Sequence, residues 1–379
     1  MDSKKKFVLF RQSQYFCSVP WNYFKIDTDG EVRTCIMGST VLGNINDQSI
    51  QDILKNPKLK MIRQDLYNDR ESSNCVTCRQ LDHTGQSYSY LRSMYNDWFK
   101  TSPVDYSDFD NFYLSGIDLH WSSTCNLKCI TCWSRQSSAI ASEIGAPIFH
   151  VSSDHAHKII DWTVSQQYQL KELYFSGGEP TMIKHNVRLL ERLEPREDLL
   201  LRINTNMTFD RDNAFMQQLS RFPNVLITMS ADSTHQRFEY IRQGAKWKDF
   251  ITNLEWLRQG RYQLRINSVF FVASAFMMLQ THRFFKENFG INDFTINQYG
   301  VDKHDLLCRN LPDNLKKTIG DEFEDLLSDP GLDTNLSGQI SNCLIELKKD
   351  PNGRDYKNYF YNIDRLRGTN WKEIFKELI

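Results

Sequence analysis

Residues 116–134 read GIDLHWSSTCNLKCITCWS, a stretch that joins a short apolar run to three closely spaced cysteines. Cys125, Cys129 and Cys132 form a CxxxCxxC pattern and account for three of the nine cysteines in 379 residues. Three thiolates from one loop leave one corner of a tetrahedral or cubane metal site without a nearby protein ligand, so chemistry can take place there. Part of a structural zinc site, or simple burial of the cysteines, would give the same spacing.

The composition is that of a folded globular chain, with 40% hydrophobic and 25% charged residues. The formal net charge of -1 argues against nucleic acid or an anionic membrane as the main partner. No apolar run approaches the length of a membrane span, and the N-terminal apolar stretch is too short for a secretory signal. We therefore expect a cytoplasmic protein, in which clustered cysteines are metal ligands or catalysts more often than disulfides.

Downstream of the cysteine loop, short apolar strands alternate with amphipathic helices. Strands are predicted at residues 116–121, 172–176, 200–204, 225–230, 264–272 and 293–298. Helices are predicted between them at residues 155–167, 185–193, 212–221, 235–258 and 275–289. The alternation predicts an α/β protein with a parallel sheet that curls toward a barrel. In such folds functional groups lie at the carboxyl ends of the strands, and the cysteine loop follows the first strand.

The second predicted strand ends in Gly177, Gly178, Glu179 and Pro180. Paired glycines allow a sharp turn and a close approach to a ligand, Glu179 presents a carboxylate acceptor, and Pro180 fixes the next turn. Alone, these four residues could equally form an ordinary turn between a strand and a helix, with no ligand. Combined with CxxxCxxC one strand earlier, it makes residues 116–300 resemble the radical S-adenosylmethionine (SAM) superfamily.

The resemblance implies a partial (β/α)6 barrel of the radical SAM type, with a 4Fe-4S cluster on the three cysteines of the loop. It also implies that SAM binds at residues 177–180 through its methionine amino group. Further contacts to SAM are implied by position at Asn204, Asn206, Ser230, Asp232, Arg242 and Asn267. Each of these short polar motifs also suits a turn, a helix cap or a solvated surface. Thr131 stands where many members carry an aromatic residue, which leaves the adenine environment open.

Four more cysteines precede the alternating region, at Cys17, Cys35, Cys75 and Cys78. An Asp-Gly turn within residues 25–32 predicts a hairpin between the first two, and a helical stretch is predicted at residues 50–65. The pattern over residues 16–81 resembles the twitch or SPASM type of auxiliary-cluster module, which implies a second 4Fe-4S cluster on these cysteines. Such modules generally follow the barrel, whereas this one precedes it. A four-cysteine zinc site is the alternative.

We therefore expect three segments, namely a twitch/SPASM-like module at residues 1–100, the partial barrel at residues 110–300 and a mostly helical C-terminal extension at residues 301–379. Helices are predicted in the extension at residues 321–327 and 371–378. Cys308 and Cys343 stand alone and are interpreted as buried small residues.

The resemblance implies an enzyme, an oxidoreductase or another radical-based modifying enzyme, that reductively cleaves SAM to a 5'-deoxyadenosyl radical and abstracts hydrogen from a substrate. We expect a peptide or protein side chain as the substrate, and the alternative is a small-molecule dehydrogenation on a sugar or aminocyclitol. A flavodoxin or ferredoxin would donate the electron. A non-catalytic iron-sulfur or zinc-binding protein is a further alternative, and RNA modification is disfavoured by the neutral charge.

Overall fold

The structure is a computed structural model that describes residues 9–83, 89–299, 304–329 and 332–379. It divides into two compact units. The first comprises the described residues up to Asn126 together with residues 133–204 and 209–226. The second comprises residues 127–132, 205–208 and the described residues from Ile227 onward. Within the described part of the chain, every helix is too short or too polar to cross a lipid bilayer.

The described residues form eleven strands. In chain order they are β1 (Tyr23–Ile26), β2 (Glu31–Arg33), β3 (Val41–Asn44), β4 (Gly116–Leu119), β5 (Lys128–Cys129), β6 (Glu172–Phe175), β7 (Leu200–Thr205), β8 (Val225–Ser230), β9 (Arg242–Gln243), β10 (Gln263–Phe270) and β11 (Phe294–Gln298).

Helices fill the connections between the strands. Those of the first unit include Val19–Asn22, Ile50–Ile53, Pro57–Tyr67, Val76–His83, Ser89–Phe99, Ser138–Ile144, Ser153–Ser165, Lys184–Arg192 and Ala214–Leu219. Those of the second unit include His235–Ile241, Trp247–Arg258, Met278–Phe289, Asp313–Leu327, Thr334–Leu347, Tyr356–Arg367 and Trp371–Ile374.

In the first unit, strands β1 to β3 of the N-terminal module and strands β4, β6 and β7 form one sheet. Its strand order is β3-β2-β1-β4-β6-β7. Strand β1 pairs antiparallel with β2, and Gly30 at the turn between them has φ +88°, which glycine adopts without strain. On its other edge β1 pairs parallel with β4, and the pairs β4–β6 and β6–β7 are also parallel. The first strand of the N-terminal module therefore extends the parallel sheet.

In the second unit, β10 lies between β8 and β11 and pairs parallel with β11. All six residues of β8 are buried, as expected for a central strand covered on both faces. Aromatic side chains fill the space between the helices, and the rings of Trp247 and Phe250 stack with centroids 5.4 Å apart. The C-terminal residues are mostly helical, as predicted.

These observations confirm the α/β class, the parallel strands and the helical C-terminal region. The prediction of one continuous helix over residues 235–258 is wrong, because Arg242 and Gln243 form β9 and Gly244 turns with φ +105° between two shorter helices. In the extension, residues 313–327 form one helix longer than predicted, and the helices at residues 334–347 and 356–367 were not predicted. The three-segment division stays a prediction.

Candidate functional site

Cys125 lies in the first unit, in the loop that follows β4. Its backbone N–H donates a hydrogen bond to Ser138 Oγ at 3.0 Å, and the same hydroxyl donates to the Cys125 carbonyl oxygen at 3.1 Å. Ser138 is held in turn because Ser137 caps the helix that begins there. One serine therefore fixes the backbone on both sides of the first cysteine.

The loop of residues 177–180 lies directly against the segment that leads into Cys125. The backbone N–H of Gly178 donates to the Ser122 carbonyl at 3.0 Å, and that of Glu179 donates to the Thr124 carbonyl at 2.7 Å. Gly177 has φ +102°, and a Cβ atom on Gly178 would lie 2.1 Å from Thr124 O. The two glycines are therefore needed for the close contact between these backbones.

Glu179 is almost fully buried at the end of this loop, and Pro180 begins the short helix that follows. The Glu179 Oε1 atom accepts hydrogen bonds from the Thr181 hydroxyl at 2.8 Å and from the Thr181 N–H at 3.3 Å. Asn186 Nδ2 donates to the Pro180 carbonyl at 3.0 Å, and the Trp121 indole donates to Asn186 Oδ1. A hydrogen-bonded network thus fixes the turn that was predicted from the Gly-Gly-Glu-Pro sequence.

Cys129 and Cys132 lie in the second unit. Strand β5, which contains Cys129, pairs antiparallel with β9, and the Cys132 N–H donates to the Cys129 carbonyl at 3.1 Å. The guanidinium of Arg242 on β9 lies 3.9 Å from Cys129 Sγ and 2.9 Å from a carboxylate oxygen of Asp232. Arg242 is thus the cation beside this cysteine pair.

The electrostatic setting keeps Arg242 charged. Burial alone would lower its pKa, but the charges of Asp232, Cys129 and Cys132 hold the pKa of Arg242 above its ordinary value. Asp232 is fully buried and also accepts a hydrogen bond from the Val269 N–H at 2.8 Å. The positive charge beside the Cys129 sulfur would offset the negative charge of a metal-bound thiolate.

The remaining predicted SAM contacts are distributed over both units. In the first unit, Asn204 lies near the end of β7. In the second unit, Asn206 accepts a backbone hydrogen bond from Thr208 at 3.0 Å, and Ser230 ends β8 as a buried residue. Asn267 on β10 accepts a hydrogen bond from Asn297 Nδ2. Their contact with SAM stays a prediction.

Two residues that hold the cysteine loop were not predicted from the sequence. Arg367 donates to the Lys128 carbonyl at 2.7 Å, and the Tyr359 hydroxyl donates to the Ile130 carbonyl at 3.1 Å. Both come from the helix Tyr356–Arg367, so this helix supports the backbone around Cys129 from within the second unit. The only signal in the sequence of this helix was a mixture of aromatic and basic residues. Such a mixture occurs in helices with many other roles.

We expect replacement of Arg367 by methionine to make the bound cluster more sensitive to air, because the charge-assisted hydrogen bond to Lys128 O is lost. The rate at which the charge-transfer absorbance bleaches in air should rise by roughly tenfold or more, since a hydrogen bond to a charged group contributes on the order of 1.5–3 kcal/mol. The matched control is Arg365→Met on the exposed part of the same helix. Equal bleaching rates for the two variants would rule out a supporting role for Arg367.

The four N-terminal cysteines lie together in the first unit, where all four line one pocket. Burial, followed by the proximity of Cys75, raises the pKa of Cys17 well above its usual range, and Cys35 and Cys78 add to the effect. Burial and the nearby Cys35 raise the pKa of Cys75 to about 12. Arg79 and Arg92 line the same pocket and would offset the charge of metal-bound thiolates.

The donor set suits an iron-sulfur cluster. All nine cysteines are free thiols, and the four N-terminal ones are partly exposed to their pocket. Four sulfur donors are the complete ligand set of a 4Fe-4S cluster. The residues thus fit a cluster in kind and number.

Comparisons with known proteins support this description. Residues 119–271 match the sequence profile of the radical SAM superfamily, and residues 17–79 match that of an iron-sulfur cluster-binding domain named SPASM. A comparison with curated proteins gave no match.

Solved structures that resemble the chain include one described as native anSMEcpe with bound AdoMet and Cp18Cys peptide, at 18% identity and a TM-score of 0.42. Another is native anSMEcpe with bound AdoMet, at 18% identity and a TM-score of 0.43. Each alignment covers 56% of this chain, and the chain spans 60% and 62% of the respective solved chains.

The two profile matches fall on the two cysteine sets. The profile of residues 119–271 includes Cys125, Cys129, Cys132 and the loop of residues 177–180. The profile of residues 17–79 includes all four N-terminal cysteines and favours iron-sulfur over zinc there. The cofactors are therefore SAM, a SAM-binding 4Fe-4S cluster and an auxiliary iron-sulfur cluster. The chain carries a domain of the radical SAM superfamily, preceded by a SPASM-type iron-sulfur cluster-binding domain.

Proposed function

We propose that the chain is an enzyme that cleaves SAM reductively and removes a hydrogen atom from a substrate carbon. The observation that carries this proposal is the hydrogen bond from the Glu179 N–H to the Thr124 carbonyl, which joins the Gly-Gly-Glu-Pro turn to the residue before Cys125. A structural metal site or an electron carrier would need the cysteines but would not need this turn beside them.

Each residue would have a distinct part. Cys125, Cys129 and Cys132 would hold the cluster, and the backbone of residues 177–180 would position the methionine end of SAM. Arg242 would offset the negative charge of the Cys129 thiolate. When bound, the cluster supplies the electron that breaks a carbon-sulfur bond of SAM, which yields methionine and the 5'-deoxyadenosyl radical.

Two substrate classes follow from the sequence. The auxiliary module favoured a peptide or protein side chain, and the alternative was a small polar molecule such as a sugar or aminocyclitol. The peptide or protein side chain stays the proposed substrate, and the small polar molecule stays the alternative. A flavodoxin or ferredoxin as electron donor and a cytoplasmic location stay predictions.

The direct test is SAM cleavage by the anaerobically reconstituted protein. With dithionite and no substrate, slow formation of 5'-deoxyadenosine and methionine is expected, measured by liquid chromatography. The preparation should carry about eight irons per chain, which corresponds to two 4Fe-4S clusters. A protein that holds its full iron content and leaves SAM intact would contradict the proposal. A content of about four irons and one zinc per chain would instead show that the N-terminal cysteines bind zinc and not an auxiliary cluster.

Cys75→Ala should separate the two cysteine sets. Iron is expected to fall from about eight to about four per chain, while substrate-free SAM cleavage remains measurable, because the SAM-binding cysteines lie elsewhere in the chain. Metal binding in a closed four-cysteine site contributes folding free energy on the order of 10 kcal/mol, so circular dichroism must accompany the assay. Loss of SAM cleavage in a variant with an unchanged spectrum would show that the N-terminal cysteines belong to the SAM site.

A further inference from the structure

Asn74 is a buried polar residue in the wall of the pocket that the four N-terminal cysteines line. It is 1% exposed and directly precedes Cys75 in the chain. Burial of a carboxamide costs free energy unless its N–H and C=O groups find hydrogen-bond partners. The partners that Asn74 has found connect it to two of the four cysteines.

Hydrogen bonds fix which end of the Asn74 carboxamide faces the cysteines. The Thr40 backbone N–H donates to Asn74 Oδ1 at 3.0 Å. A backbone N–H can only donate, so the atom that faces Thr40 is the oxygen and the amide nitrogen points the other way. The backbone is held as well, because the Ser39 N–H donates to the Asn74 carbonyl at 3.3 Å and the Asn74 N–H donates to Ser72 Oγ at 3.4 Å.

The amide nitrogen of Asn74 has two hydrogens and two acceptors. It donates to Thr34 Oγ1 at 2.8 Å and, in a longer bond, to Cys75 Sγ at 3.9 Å. Thr34 is also buried, at 1% exposure, and directly precedes Cys35. Because the Thr34 oxygen accepts from Asn74, its own hydrogen is left to act as a donor.

The acceptor for the Thr34 hydroxyl is the Cys35 sulfur, which also accepts from the Met37 backbone N–H. The arrangement is tightly enclosed, since a Cβ atom on Gly38 would lie 2.7 Å from Thr34 Oγ1 and 3.2 Å from Asn74 Oδ1. One carboxamide therefore reaches two cysteines, Cys75 directly and Cys35 through the Thr34 hydroxyl.

Hydrogen bonds to ligating sulfurs change the redox balance of an iron-sulfur cluster. The reduced cluster carries one more negative charge than the oxidised cluster, and part of that charge lies on the sulfurs. Donors directed at the sulfurs therefore stabilise the reduced form more than the oxidised form, which raises the reduction potential. Two hydrogen bonds in series strengthen each other in a buried setting, so the bond from Asn74 to Thr34 adds to the effect of Thr34 on Cys35.

We propose that Asn74 and Thr34, here called the donor pair, are positioning residues that hydrogen-bond the sulfurs of Cys75 and Cys35 and raise the reduction potential of the auxiliary cluster. The inference concerns this cluster alone and goes beyond the proposed function, because it does not require that the chain cleaves SAM.

The test is a potentiometric titration followed by electron paramagnetic resonance. It uses the full chain with Cys125, Cys129 and Cys132 replaced by alanine, so that only the auxiliary cluster contributes a signal. In this background, Thr34→Val keeps the shape of the side chain and removes the hydroxyl. The one-electron equilibrium should shift about tenfold toward the oxidised cluster, which corresponds to a potential about 59 mV lower. Thr34→Ser keeps the hydroxyl and should restore the parent potential.

Asn74→Leu removes both donors and should lower the potential at least as much as Thr34→Val. The double variant should show a shift smaller than the sum of the two single shifts, because both residues act on Cys35 through one chain of hydrogen bonds. The control is Asn68→Leu in the same module. Asn68 is an exposed carboxamide that donates to the Gln64 carbonyl at 2.8 Å, and its replacement should leave the potential unchanged.

Equal potentials for Thr34→Val and Thr34→Ser, or a parent-like potential in an Asn74→Leu chain with full iron content, would overturn the inference. Strictly additive shifts in the double variant would refute the connection of Asn74 to Cys35 through Thr34. If Asn74→Leu loses its iron, the two Thr34 variants decide the outcome. A parent chain without iron would also overturn the inference, since no cluster would be present at these cysteines. All these results are independent of SAM cleavage, which the wild-type protein tests separately.

Discussion

Replacement of Cys125, Cys129 and Cys132 together by alanine is expected to abolish reductive SAM cleavage. The cluster then has no ligand from the loop, and the electron cannot reach the sulfonium of SAM. The measurement is 5'-deoxyadenosine formed with dithionite, and we expect a value at the level of the protein-free control. Iron should fall to about four per chain, held by the N-terminal cysteines.

The matched control for this variant is Cys308→Ala. Cys308 is a buried thiol outside both cysteine sets, so its replacement removes a sulfur without touching a cluster. It should retain wild-type iron content and SAM cleavage. Cleavage at the wild-type rate in the triple variant would refute the assignment of the loop.

Gly178→Ala should have the second largest effect. The added methyl carbon would lie 2.1 Å from Thr124 O, a backbone atom that cannot rotate away as a side chain would. The turn must therefore move from the cysteine loop, which breaks the hydrogen bond from the Glu179 N–H to the same oxygen. A shift of about 1 Å near a reacting centre lowers rates on the order of 100-fold, and we expect a loss of this size in SAM cleavage.

Gly320→Ala is the control for the glycine substitution. Gly320 lies inside the helix Asp313–Leu327, and the nearest atom to an added Cβ is 3.9 Å away. Alanine is a better helix former than glycine, so this variant should be at least as stable as the wild type and fully active. A Gly178→Ala variant that matched it in SAM cleavage would show that the close backbone contact is dispensable.

The sequence predicted the features that depend on local pattern. Strand β8 was predicted at its observed bounds of Val225–Ser230, because a run of five apolar or β-branched residues that ends at Ser230 is typical of a buried strand. The cysteine spacing and the Gly-Gly-Glu-Pro turn were found in the same way, since each is a short chemical signature within one loop.

Features that depend on long-range pairing were not predicted. The helix over residues 235–258 looked continuous because its apolar spacing is helical on both sides of Arg242, while the pairing of β9 with β5 depends on residues more than a hundred positions away. The shared sheet face of Asp118, Tyr174 and Arg202 was missed for the same reason. Asp118, Tyr174 and Arg202 become neighbours only through the register of three strands, and each looks like an ordinary strand residue in the sequence.

The support of the cysteine loop by the helix Tyr356–Arg367 has a consequence for the order of events during synthesis. Arg367 is 239 residues downstream of Lys128, whose carbonyl it holds. At translation rates of about 5–20 residues per second, the loop emerges roughly 10–50 s before its support exists. Cluster insertion into a properly held loop is therefore a late, post-translational step. A ribosome-stalled chain that ends before residue 356 should carry the three cysteines and yet retain iron poorly.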